Sequence, residues 1–204
     1  MTVSQPTRRT GSRAGSRARS TIRTAFLLAN VAIIGVFVHQ TMATSIPTAS
    51  RGGLGEADGA VPDGVTVFDD KVPGVVNLDP DLLGALRRAA TAAAQDGVVF
   101  YVNSGWRSPA YQAQLLNQAV QKYGSAEEAA RWVATPQNSP HVQGQAVDIG
   151  RSDATAWLTE HGAVYGLCQI YDNEPWHYEL RPEAVAHGCP PRYADPTHDP
   201  RMQR

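Results

Sequence analysis

The chain has 204 residues, 42% of them hydrophobic and 18% charged, with a formal net charge of −1. That length suits one ordinary domain with appendages, and the apolar content excludes a wholly disordered chain. The near-zero charge hides an asymmetry: residues 1–43 hold six arginines and no acid, leaving 12 basic against 19 acidic residues elsewhere. A folded part with that balance argues against nucleic acid as a partner, because phosphates need a basic surface.

Arg8, Arg9, Arg13, Arg17, Arg19 and Arg23 mark a basic cytoplasmic tail over residues 1–23. Thr24 to Met42 follow as 19 residues without a charge, close to the ~20 that a helix needs to cross the hydrocarbon of a bilayer. Basic residues in front keep the amino terminus in the cytoplasm and send the remainder outside. Two readings stand for residues 24–42. One is a transmembrane anchor; the other is the core of a signal peptide cut near Thr41-Met42-Ala43. Both place the rest of the chain in an extracytoplasmic location, either membrane-anchored or secreted. Residues 43–62, rich in Gly, Ser, Thr and Pro, read as a flexible linker.

The domain itself is expected over residues 63–189. Asp79-Pro80 caps a helix that carries Leu82, Leu83, Leu86, Ala90 and Ala93 and closes at Gly97. Val98 to Val102 reads as a buried strand. Ser108-Pro109 opens a second helix with Tyr111, Leu115, Ala119 and Tyr123 on one face and Gly124 as its stop, and Glu127 to Val133 reads as a short third. Ala146 to Ile149 reads as a strand, Ser152 to His161 as a helix, and Trp176 to Leu180 as a last strand. Helices and short strands mix without βαβ alternation, so the class is α+β. Cys168 and Cys189, 21 positions apart in the exported part, suit a disulfide in an oxidising compartment, with two separate buried thiols as the other reading. Residues 190–204, with Pro190, Pro191, Pro196 and Pro200, read as a Pro-rich disordered tail.

Two segments carry chemistry. In Ser139-Pro140-His141-Val142-Gln143-Gly144-Gln145-Ala146-Val147-Asp148 a loop histidine is followed by a glycine turn and an aspartate inside an apolar strand. Such an aspartate is costly to bury unless it is paired or bound to a metal. In Glu174-Pro175-Trp176-His177 a carboxylate precedes a histidine by three residues. His141, Asp148 and His177 form an N, O, N set that leaves a fourth position open on tetrahedral zinc, the catalytic arrangement. Glu174 is then the general base for a water whose pKa the metal lowers to about 7. Arg107, in Asn103-Ser104-Gly105-Trp106-Arg107-Ser108, can polarise a carbonyl. Trp106 and Trp176 flank the site as packing walls or substrate platforms. His161, at a helix end, and His187 are given structural roles. Glu179, two residues beyond His177, is either a support for it or a solvated strand carboxylate.

Together these segments resemble the zinc D-alanyl-D-alanine carboxypeptidases of the VanY type. The resemblance rests on Ser-Gly-Trp-Arg-Ser at 104–108 with Gln112 five residues after Arg107, Ser-x-His-x-x-Gly-x-Ala-x-Asp at 139–148, and Glu-Pro-Trp-His at 174–177. It implies the compact fold shared with Hedgehog amino-terminal domains, a small antiparallel sheet with flanking helices. The activity it implies is removal of the terminal D-amino acid from peptidoglycan stem peptides ending in D-Ala-D-Ala, with one catalytic zinc. In that scheme Arg107 steadies the scissile carbonyl and its oxyanion, while Ser139 and Gln112 contact the substrate. An LD-carboxypeptidase or an endopeptidase would use the same site. A wall-binding module with structural zinc would have no need of Glu174.

Overall fold

The computed structural model describes residues 54–203. The basic tail, the apolar segment 24–42 and most of the expected linker lie outside the described residues. Among the described residues no helix is long and apolar enough to cross a membrane.

Among the described residues, six α-helices and four strands follow in chain order: α1 (Pro73–Val76), α2 (Pro80–Ala93), β1 (Tyr101–Ser104), α3 (Pro109–Tyr123), α4 (Ala126–Ala130), β2 (Ala146–Gly150), α5 (Ser152–His161), β3 (Leu167–Gln169), β4 (His177–Leu180) and α6 (Ala184–His187). The strands form one sheet in the order β1-β2-β4-β3, antiparallel at every pairing. This is the α+β architecture, a small antiparallel sheet with flanking helices, that the sequence implies.

Local chemistry fixes the helix ends. The Asp79 carboxylate accepts from the Asp81 and Leu82 amides, and Pro80 occupies the first helical position of α2. Ser108 does the same for α3, its hydroxyl accepting from the Tyr111 amide at 3.1 Å. The apolar face of α2, with Leu82, Leu86, Ala89 and Ala93, is buried in the same core as Val147 and Ile149 of β2 and Tyr178 of β4. Side chains alternate along a strand, so Asp148, His177 and Glu179 lie on the opposite face of the sheet. The core holds one side; the other is left for polar groups.

Several boundaries differ from expectation. The first strand pairs over Tyr101–Ser104, not Val98–Val102, and Val99 is exposed; the apolar run enters the sheet only at its end. The helix after α3 spans Ala126–Ala130, not Glu127–Val133. On α3 the expected apolar face is only half-buried apart from Ala119, while Gln112 is buried. The elements α1, β3 and α6 have four residues or fewer, too short to leave a periodic signal.

The domain also exceeds 63–189 at both ends. Asp58, in the expected linker, accepts from the Ser108 amide through its carbonyl at 2.8 Å and from the Ser108 hydroxyl through its carboxylate at 3.1 Å. Beyond residue 190, Asp195 and Asp199 are buried. Arg131 donates to Asp195 at 3.0 Å, and the Tyr171 hydroxyl donates to Asp199 at 3.0 Å. Proline and polar composition there mark irregular chain, and ion pairs supply the order that apolar periodicity does not.

Cys168 of β3 and Cys189 form a disulfide. Closing a loop of 21 residues restricts the unfolded chain by about 3 kcal/mol in the entropic account. Replacing both cysteines with alanine is expected to lower unfolding free energy by about that amount in urea titrations. An unchanged midpoint would count against this reading.

Candidate active site

The site begins with strand register. Between β2 and β4, Asp148 stands directly opposite His177 and Ala146 opposite Glu179, so pairing alone brings a carboxylate and an imidazole together. His141 comes from the loop before β2. Gly144 turns that loop at φ +71°, where a Cβ would also lie 2.7 Å from the Asn77 carbonyl oxygen, so only glycine fits. His141 Nδ1–H donates to the Gly105 carbonyl at 2.8 Å. Gly105 is itself required for close approach, since a Cβ there would meet the Gly74 carbonyl oxygen at 1.9 Å.

These bonds fix which nitrogens face inward. With Nδ1 of His141 committed to Gly105, its Nε2 lone pair points at the other two residues. His177 Nε2–H donates to Glu179 Oε1 at 3.2 Å, leaving Nδ1 as its inward atom. His141 Nε2, His177 Nδ1 and Asp148 Oδ1 form a triangle with edges of 3.3, 3.3 and 3.4 Å. Ligand atoms on a tetrahedral zinc with bonds of about 2.0–2.1 Å are about 3.3–3.4 Å apart. Asp148 Oδ1 is buried without a hydrogen-bond partner, an arrangement that is costly unless a cation satisfies it. The donor set therefore fits a zinc ion, and among the described residues it is the only His/Cys/Asp/Glu group with metal-holding geometry.

In the metal-free chain the electrostatics of the three groups differ. Burial drives the His141 pKa down, with the Arg107 charge adding to it, which favours the neutral ligand form. Burial works the same way on His177, but the negative charges of Asp148 and Glu179 beside it, with the Glu179 hydrogen bond, outweigh it and push its pKa up to about 10. Burial opposes ionisation of Asp148, yet His141, His177 and Arg107 hold it well below the usual carboxylate range.

Glu174 lies beside the triangle, with Oε2 3.7 Å from His177 Nδ1. Its other oxygen is buried and without a partner. Burial raises its pKa to about 7, a rise that the neighbouring His177 charge partly opposes. A carboxyl poised near neutrality, with one oxygen free, suits a group that accepts and returns a proton.

The remaining expected residues take different places. Arg107 donates through Nε to Ser104 Oγ at 2.8 Å, through Nη1 to Gln112 Oε1 at 3.1 Å and through Nη2 to Asp148 Oδ2 at 2.9 Å. It thus holds the outer oxygen of Asp148 and turns Oδ1 inward. Gln112 has both ends of its amide occupied, since Nε2 donates to the Ala134 carbonyl at 2.9 Å; it braces Arg107, and a direct substrate contact is not what its bonding favours. Ser139 is buried and lines the cleft over the site. Trp106 does not line it; its amide donates to the Gly74 carbonyl and holds the main chain there. Trp176 does line the cleft, as do Tyr123 and Trp132, whose rings stack at 5.7 Å. The cleft has a volume of about 350 Å³.

Glu179 is resolved by the structure in favour of support: it is buried and bonded to His177. The two-residue period from His177 was its signal. Arg181, Arg201, Asp199 and Tyr171, which surround Glu179, had none. His161 and His187 lie apart from the triangle.

The family model for VanY, D-alanyl-D-alanine carboxypeptidase, matches residues 76–183. A curated D-alanyl-D-alanine carboxypeptidase from Enterococcus faecalis (strain ATCC 700802 / V583) is 34% identical over 112 residues, 43% of this chain and 42% of that protein. The chain therefore spans less than half the length of this relative. Among solved structures, VanYB in complex with D-alanine-D-alanine is similar with a TM-score of 0.50 and 27% identity, over 54% of this chain and 74% of that one. The LD-carboxypeptidase LdcB is similar with a TM-score of 0.50 and 24% identity, over 63% and 71%, a likeness of fold.

The raised His177 pKa has a measurable consequence in metal-free protein. A group raised above its unfolded value of 6.5 to about 10 gives stability that is complete below 6.5 and lost as pH rises through 10. Glu174, raised from 4.5 to about 7, loses its share at lower pH, so the window from 7 to 10 isolates His177. The urea midpoint of the metal-free chain is expected to fall across that window, and His177→Gln is expected to remove most of the fall. A flat wild-type profile would refute it.

Proposed function

The chain belongs to the VanY D-alanyl-D-alanine carboxypeptidase family, and from that premise we propose that it is a zinc-dependent D,D-carboxypeptidase. Its substrate is a peptidoglycan stem peptide ending in D-Ala-D-Ala, from which it removes the last D-alanine. The observation that carries this reading is the partnerless oxygen of Glu174 beside a ligand triangle of tetrahedral dimensions.

His141, Asp148 and His177 hold the metal in this reading. A zinc ion held there would supply Lewis acidity, acidifying water and polarising the scissile carbonyl. Glu174 takes one proton from the attacking water as its oxygen adds to the carbonyl carbon. The same carboxyl then returns that proton to the amine nitrogen of the departing D-alanine as the C–N bond breaks, so the proton count closes within one residue. A pKa near 7 serves both directions of transfer. Arg107 uses three of its five N–H groups on Ser104, Gln112 and Asp148. The other two are assigned to the carbonyl oxygen as charge develops on it. Ser139 contacts the peptide from the cleft wall.

The place of action follows from the chain's own pattern. Residues 1–23 stay in the cytoplasm, and residues 24–42 act as a membrane anchor or as a cleaved export signal. The domain then works outside the membrane, where peptidoglycan is found. The Cys168–Cys189 disulfide supports that compartment.

The test is D-alanine release from a muramyl pentapeptide ending in D-Ala-D-Ala by the zinc-loaded full chain. Release that a chelator stops is expected. Glu174→Gln is expected to lower kcat by about 10²–10⁴-fold with zinc content unchanged. Full activity in that variant, or no release by zinc-loaded wild type, would overturn the proposal.

A further inference from the structure

Residues 195–203 lie beyond the span matched by the family model, yet they reach the back of the metal centre. Glu179, which accepts His177 Nε2–H, is held there by two arginines. Arg181 Nη2 lies 2.7 Å from Glu179 Oε2. Arg201 Nη1 lies 2.7 Å from the same oxygen, and its Nη2 lies 3.2 Å from Oε1. Arg201 is thus the arginine bonded to both carboxylate oxygens, and a fork of this kind sets the plane of the group as well as its charge.

Arg201 is fixed in turn by Asp199, which is wholly buried. Asp199 accepts from Arg201 Nε at 3.0 Å, from its amide at 2.9 Å and from the Tyr171 hydroxyl at 3.0 Å. Met202 adds a further tie, its carbonyl accepting from Asn138 Nδ2 at 2.9 Å. At the other end of the segment, Arg131 holds Asp195. A continuous chain of bonds therefore runs Asp199–Arg201–Glu179–His177.

We infer that Arg201 is a positioning residue of the metal centre: by fixing the plane of the Glu179 carboxylate it fixes the tautomer and ring orientation of His177, so residues 195–203 are part of the site. This rests on the reading of His141, Asp148 and His177 as metal ligands. Partners of this kind set ligand geometry and donor strength, and their loss costs about 10–100-fold in metal affinity.

The experiment is zinc affinity of the metal-free full chain, measured against a competing fluorescent chelator. Arg201→Ala is expected to weaken binding by about 10–100-fold. Arg201→Lys keeps the charge but cannot span both oxygens, so it is expected to fall with the alanine variant. Arg131→Ala releases Asp195 from the same segment without touching Glu179 and is expected to bind zinc as wild type does. Wild-type affinity in Arg201→Ala, full rescue by lysine, or an equal loss in Arg131→Ala would overturn the inference. If Arg201→Ala lacks native near-ultraviolet circular dichroism, Glu179→Gln takes its place with the same expected loss, and wild-type affinity there overturns it too. A wild-type chain that binds no zinc would instead remove the metal site itself, and this inference with it.

Discussion

The antiparallel register between β2 and β4 is the constraint on which the rest depends. It places Asp148 across from His177 on the face turned away from the core, while Val147, Ile149 and Tyr178 are turned into it. Slipping one strand by a residue would move the apolar set into the polar face and the carboxylate into the core. The burial that stabilises the sheet therefore also enforces the ligand geometry. No separate device is needed to bring these two side chains together, and the loop carrying His141 has only to close the third corner.

Around that register each inward-facing atom is set by what its outer atom touches. The outer oxygen of Asp148 is taken by Arg107, the outer nitrogen of His141 by a backbone carbonyl, and the outer nitrogen of His177 by Glu179. Asp148 Oδ1 and one oxygen of Glu174 are the carboxylate atoms left without a partner here. Asp148 is nonetheless tied at its other oxygen by Arg107, so its free oxygen has a fixed direction. The ionic cluster is also economical, since Glu179 is compensated by arginines at both of its oxygens.

Much of this was legible in the sequence because it is local. A histidine, a glycine turn and an aspartate within eight residues, and a glutamate three before a histidine, declare their chemistry by spacing. The caps at Asp79 and Ser108 were equally plain. What escaped was of two kinds. The resemblance implies that Gln112 faces substrate; three-dimensional bonding shows its amide held by Arg107 and the Ala134 carbonyl, and shows Arg107 also tied to Asp148. The segment around Asp195, Asp199 and Arg201 read as disordered because its order comes from ion pairs to Arg131 and Glu179, 64 and 22 positions away. No periodicity records a partner at that distance. The first strand was displaced for a related reason: Val98 and Val99 are apolar, but pairing with β2 begins only at Tyr101.

The two histidines differ in what supports them, and the difference reaches beyond the site. His177 leans on a side chain, which substitution can change by degrees. His141 leans on the carbonyl of Gly105, at a crossing where the main chains of residues 74 and 105 leave no room for a methyl group. The position of one imidazole is thereby geared to that of α1, a helix of four residues that contributes none of the three candidate ligands. Insertions or deletions around α1 would change where the His141 imidazole lies. The stretch before α2 is therefore constrained in length as well as in sequence.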